Sequence, residues 1–152
     1  MKLAEALQER ADLNRDIEQL RNRLENNVLV QEGEKTAEEP EKLKQELDVA
    51  IGRLAYLISR INLTNSRVEL GGRTLPELIA EKEALSLKIH VYKDIIDTGS
   101  RTAYRARNTE IKIKPAIVVA DWQAEVDRMA KKLRLLDNRL QESNWKTDLI
   151  EA

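Results

Sequence analysis

The sequence predicts a mainly α fold: four long amphipathic helices in an antiparallel bundle or coiled-coil arrangement, with a minor β element at about residues 67–75 and 109–114. Three observations predict it. Ala, Glu, Lys, Leu and Arg supply about half of the chain, phenylalanine is absent and aromatic residues make up 3%, a balance suited to helices that meet along narrow seams. Apolar residues recur every three or four positions over long stretches, the spacing of one helical face. All three prolines stand at or beside the breaks between those stretches.

The first helix is expected over about residues 2–29. At about 100° per residue, Leu3, Ala6, Leu7, Leu13, Ile17, Leu20, Leu24 and Val28 share one face. An acidic linker at 30–40 follows, with glycine, proline and no apolar period, as a solvated connection requires. Pro40 suits a first helical turn, where its missing N–H is not needed. From there Leu43, Leu47, Ala50, Leu54, Leu57, Ile58 and Ile61 define a second helix over about 41–66, antiparallel to the first.

The stretch "RVELGGRTL" changes period and reads as a tight hairpin or a loop. Thr74-Leu75-Pro76-Glu77 behind it is a capping box, which starts a third helix over about 75–97. This helix is apolar on two sides: Leu78, Leu85, Ile89, Tyr92 and Ile96 on one, and Ala80, Ala84, Leu87, Val91 and Ile95 on the other. It therefore needs two neighbours. A basic loop or strand at 98–115 ends in "EIKIKP", whose alternation and β-branched residues describe a short strand, paired with the glycine hairpin on this reading. In the fourth helix, about 119–145, Trp122, Val126, Met129, Leu133, Leu136, Leu140 and Ser143 form a heptad seam. Periodicity alone leaves open whether its partner lies in the same chain or another.

As one chain of 152 residues it is expected to make a single helical domain. With 26 basic and 27 acidic residues the net charge is −1, so no global field draws it to nucleic acid or an anionic membrane. The absence of cysteine excludes disulfides, thiolate metal sites and a cysteine nucleophile. Neither a signal peptide nor a membrane span is legible, and the expected location is the cytoplasm.

The polar residues within the apolar stripes are the candidate site. Asn65 falls in the middle of the second helix's stripe with Asn62 at its edge, Arg10 in the middle of the first with Asn14 and Arg21 on its flank, and Asp137 and Asn144 beside Leu133 and Leu140. Guanidinium, amide and carboxylate are the groups of a satisfied internal network, with Asp137 or another subunit's acid as the expected partner of Arg10. Such a network fixes helix register and oligomer state; the alternative is that Arg10, Asn14, Asn62 and Asn65 line a pocket for a small anion or nucleotide-type ligand.

Other constellations point to less. His90 is the single histidine and reads as a solvated or rim residue. Glu77, Glu81 and Asp94 lack the Glu-x-x-His partners of a di-iron bundle, and Gly71-Gly72 lacks the lysine and spacing of a phosphate loop, so neither a metal nor a cofactor is predicted. Arg101, Arg105, Arg107, Lys112 and Lys114, set against Glu110, make a local excess of four positive charges around Tyr104. That patch suits intersubunit pairing with the acidic linker at residues 32–41 better than nucleic acid, whose binders carry a stronger overall basic footprint.

Taken in order, "MKLAEALQERADLNRDIEQLRNRL", "RINLTNS", "GGRTLPELIAEKEAL", "EIKIK" and "LDNRLQESNWKTDLIE" resemble a family of small bacterial proteins labelled septicolysin-like. The resemblance runs almost end to end. It implies a mostly helical, oligomeric cytoplasmic protein without an established activity, and matches Arg10, Asn14, Asn62, Asn65, Asn144 and Trp145 to family motifs of no known role. With no tryptophan-rich loop or long apolar stretch, the chain does not support the pore formation that label suggests. The leading expectation is a self-associating interaction or scaffold protein, a homo-oligomer formed through the third helix's second face and the fourth helix's seam. Ligand binding at the Arg10 cluster comes second and weak nucleic-acid binding through 101–114 third.

Overall fold

The computed structural model describes residues 1–101 and 111–152. It holds four helices, α1 (Leu3–Asn27), α2 (Pro40–Arg67), α3 (Leu75–Gly99) and α4 (Val119–Lys146), and a two-stranded hairpin, β1 (Glu69–Leu70) and β2 (Arg73–Thr74). These elements form two compact units. The first is Met1–Glu69 with Ser143–Ala152, and the second is Leu70–Glu142.

In the first unit α1 and α2 run antiparallel. Glu9 meets Arg53 through two hydrogen bonds of 2.6 and 2.9 Å, while Arg23, further along α1, reaches back to Glu46 at 3.9 Å. Leu3, Ala6 and Leu20 of α1 and Leu43, Leu57 and Ile61 of α2 supply the buried apolar surface. α1 ends at Asn27 rather than carrying Val28 onward as part of its face. The Asn27 side chain donates to the Arg23 carbonyl at 2.7 Å and accepts the Glu38 N–H at 3.0 Å, so it closes the helix and pins the far end of the linker at once. Val28, Leu29 and Val30 are exposed beyond it.

The chain's last residues return to this unit. The Leu3 N–H donates to the Thr147 carbonyl and the Leu149 N–H to the Met1 carbonyl, both at 2.9 Å, around an antiparallel bridge between Lys2 and Asp148. Leu149 is buried, and the Ile150 N–H donates to Thr64 Oγ1 at 2.9 Å. Thr64 is fully buried, and its hydroxyl donates in turn to the Arg60 carbonyl at 2.8 Å. Both functions of one hydroxyl are thereby satisfied where water has no access.

The second unit begins at the hairpin. Gly71 and Gly72 take φ of +60° and +79°, the left-handed pair that a two-residue turn matched to strand twist demands. Among the described residues the hairpin pairs with itself; 111–114 form no strand, although Lys112 makes an isolated bridge, and 109 and 110 lie outside the described residues. β2 leads straight into α3, where the Thr74 N–H donates to Glu77 Oε2 at 2.8 Å and Thr74 Oγ1 accepts from the Glu77 N–H. α3 and α4 run antiparallel, since Lys82 meets Asp137 at 2.5 Å and, further along α3, the Tyr92 and Trp122 rings lie 5.0 Å apart. Leu78 and Ile89 of α3 and Val126, Leu136 and Leu140 of α4 are buried.

Thr64→Val keeps the shape of the side chain but leaves the Ile150 N–H without its acceptor. It is expected to cost about 1–3 kcal/mol in urea unfolding and to speed amide exchange at residues 148–150. Thr64→Ser, which keeps the oxygen, should retain most of the exchange protection. Equal protection in the valine variant would mean that the tail is held by something else.

Candidate functional site

The polar residues singled out in the stripes do not converge. Arg10 is half-buried and Asn14 exposed, and the Glu9–Arg53 contact sets both opposite the middle of α2. Asn62, exposed, and Asn65, half-buried, stand about ten residues further along α2, roughly 15 Å away at the helical rise. Arg21 is exposed, pairing with Glu18 at 3.9 Å and Glu25 at 3.4 Å on its own helix. Asp137, the expected partner of Arg10, is held by Lys82 instead, and Arg10 forms no hydrogen bond or ion pair among the described residues. Asn144 is half-buried and Trp145 exposed. The polar groups that carry the packing in the first unit are Thr64 and Asn27, neither of which the stripes marked out.

Of the basic patch, Arg105 and Arg107 lie outside the described residues, as do Tyr104 and Glu110. Arg101 pairs with Asp97 at 2.9 Å, and Lys112 and Lys114 are exposed. Among the described residues the acidic linker has one ion-pair partner, Arg23, whose guanidinium donates to Glu38. His90 is exposed, 3.7 Å from Asp94 one turn on. No group of three or more histidine, cysteine or acidic side chains suited to a metal occurs among the described residues.

Two grooves remain. Between α1 and α2, a groove of about 590 Å³ has Leu13, Leu20, Val49 and Ala50 along it. Its four charged side chains, Asp16, Arg23, Glu46 and Arg53, sum to zero, and both arginines are already engaged by Glu38 and Glu9. The second groove, of about 370 Å³, lies between α3 and α4 with the hairpin at its side. Arg73, Arg128, Lys131, Lys132 and Arg139 line it against one carboxylate, Glu81. That carboxylate binds Arg73 and, at 3.3 Å, Lys132, and the Arg73 hydrogen bond, followed by that of Lys132, holds its carboxyl below the ordinary range. Arg128, Lys131 and Arg139 have no such partner among the described residues. The helical spacing of Arg128, Lys132, Leu135 and Arg139, in steps of four and three, is the signal in the sequence that locates this groove.

The outer face of α3 is the third feature. Ala80 and Ala84 are exposed, as are Leu87 at 64%, Val91 at 46% and Ile95 at 42%. Along the heptad seam of α4, Val126, Leu136, Leu140 and Ser143 are buried, and Trp122, Met129 and Leu133 are half-buried. No helix among the described residues is long and apolar enough to cross a membrane.

Residues 10–149 match a family of unknown function (DUF6847). A crystal structure of a functionally unknown conserved protein from Corynebacterium diphtheriae superposes with a TM-score of 0.92 at 35% identity, covering 99% of each chain. No curated protein matches the sequence.

The Glu9–Arg53 pair is the best-formed ion pair across a helix seam, and the Arg53 hydrogen bonds hold the Glu9 carboxyl below its ordinary 4.5. A carboxylate lowered on folding adds stability that is complete above pH 4.5 and disappears as the pH falls through the lowered folded value. Glu9→Gln is therefore expected to lose about 0.5–1 kcal/mol at pH 7, with wild type and variant converging as urea titrations are taken into more acidic buffer.

Proposed function

This chain belongs to the DUF6847 family of unknown function, and we propose that it is a helical interaction protein that self-associates, two copies packing parallel through the outer face of α3. The observation that carries the reading is the exposed stripe of Ala80, Ala84, Leu87, Val91 and Ile95. An apolar stripe at helical spacing on a helix already packed by its other face is surface that water penalises. Burying one leucine fully is worth about 1.5–3 kcal/mol, and a dimer gains it twice.

Its composition favours a second copy. Alanines at 80 and 84 allow close approach of two helices at one end, and Leu87 and Val91 supply the bulk beyond them. With Ala84, Leu87 and Val91 on the seam, Glu83 and Lys88 flank it on opposite sides at a separation of five residues. That is the spacing at which flanking charges of two parallel helices meet, so a parallel pair gains two Glu83–Lys88 contacts. An antiparallel pair sets Lys88 against Lys88, which disfavours it. The α4 seam, where Val126, Leu136, Leu140 and Ser143 are already buried, is left out of this interface.

Light scattering of the wild-type protein at about 100 µM should give twice the chain mass of 17.5 kDa. Leu87→Asp should give the monomer with unchanged helical circular dichroism. Glu83→Lys should weaken the dimer at least tenfold, and adding Lys88→Glu should restore it. A wild-type protein that stays monomeric at that concentration defeats the proposal, and failure of the charge swap to restore association defeats the parallel arrangement.

A further inference from the structure

We propose that the groove between α3 and α4 is a binding site for a small polyphosphate ester of nucleotide size. The argument starts from charge. Five cationic side chains face one carboxylate there, an excess of four positive charges within a space of about 370 Å³, in a protein whose net charge is −1. Like charges gathered on one face repel one another and weaken the fold that gathers them. Arg53, Arg23 and Lys82 are each held by a carboxylate, Glu9, Glu38 and Asp137, and stand singly rather than in a cluster of like charge. Arg128, Lys131 and Arg139 are left without a counter-charge among the described residues.

The geometry favours phosphate. Arg73, Arg128 and Arg139 bring three guanidiniums, whose planar forks bind phosphate oxygens in pairs, and Lys131 and Lys132 add compact charges between them. Arg128 and Arg139 stand three turns apart on α4, about 16 Å at the helical rise, which lets one ligand span the row. The Arg139 guanidinium lies against the hairpin turn, 3.6 Å from where a Cβ on Gly71 would sit. Arg73 reaches the groove from the same hairpin, so a rigid turn positions cations from two elements.

Size and apolar lining narrow the class further. Leu78, Leu135 and Leu136 give the groove apolar surface, and Leu135 is 51% exposed, suited to the planar or hydrocarbon part of an ester. The volume is at the lower end for small-molecule sites. A nucleic acid would need a basic surface continuing past the groove, whereas Asp121 and Glu125 precede it on the same side of α4. Glu81 acts as the place-holder, keeping Arg73 and Lys132 extended until phosphate oxygens compete for them.

Isothermal titration of the whole protein with ATP, ADP, inorganic pyrophosphate, inorganic phosphate and a twelve-nucleotide single-stranded DNA, at physiological ionic strength, tests this. ATP should bind at least tenfold more tightly than inorganic phosphate. Arg128→Gln with Arg139→Gln should lose at least tenfold for ATP, while Lys42→Gln with Lys44→Gln, exposed on α2, should change nothing. Glu81→Gln should bind ATP more tightly, because it removes the competing carboxylate. The site does not depend on self-association, so Leu87→Asp should bind ATP as wild type does. The proposal is overturned by the absence of heat from ATP and pyrophosphate up to millimolar concentration, by equal binding in the Arg128/Arg139 variant, or by DNA binding more tightly than ATP through the same two arginines.

Discussion

The closure of the first unit by the far end of the chain is the constraint on which the rest depends. α1 and α2 form one helix pair, but the surface at the start of α1 and the end of α2 is completed only by residues 147–150, which arrive after the whole second unit has been traversed. Thr64 is the pivot. Its hydroxyl accepts from Ile150 and donates to Arg60, so the tail is joined to α2 by a buried hydrogen bond whose loss would strand a donor. The Lys2–Asp148 bridge does the same for the other side of the tail. A unit whose contacts span most of the sequence carries a high loop-closure cost, which shared burial of Leu3, Leu57, Ile61 and Leu149 offsets.

How much of this was legible in the sequence depended on the range over which each signal acts. The helices were legible because a 3.6-residue period is local and repeated, and the Gly71-Gly72 turn and the Thr74 capping box because each is a short chemical requirement. The tail was not legible, since nothing in "KTDLIEA" names residues 1–4 and 64 as its partners. The α2 stripe shows a subtler limit. Leu43, Leu57 and Ile61 of the expected stripe are buried, but on the last turn of α2 the buried residue is Thr64, while Asn65, one position or about 100° away, is half-buried. That step puts Asn65 at the margin and Thr64 at the centre. A threonine on a stripe reads as an indifferent residue until its partner is known.

The same limit applied to charge. Cations were sought where they crowd in sequence, at 101–114, whereas helical geometry gathers Arg128, Lys131, Lys132 and Arg139 from positions that alternate with acids and leucines. Counting charge along the chain averages Asp127 and Asp137 into that neighbourhood. Counting by face separates them, because Asp137 turns to Lys82. The seam of α4 was plain as a period, but a period says nothing about which chain supplies the partner; Val126, Leu136 and Leu140 are buried within the chain, while Trp122, Met129 and Leu133 keep part of their surface.

The two helix-pair grooves show why the electrostatic contrast matters more than the size of either. The α1–α2 groove is the larger, at about 590 Å³, but its charges sum to zero and its arginines are held by Glu9 and Glu38, so an entering anion would have to break existing pairs. The α3–α4 groove is smaller, but only two of its five cations share a carboxylate. An anion entering it exchanges repulsion among like charges for attraction, and displaces at most one internal acid. Exposed cations that no internal acid answers remain available to an anionic solute, with a strength that falls as salt rises. Each unit holds an antiparallel helix pair, and the two grooves differ in where their counter-charges are placed.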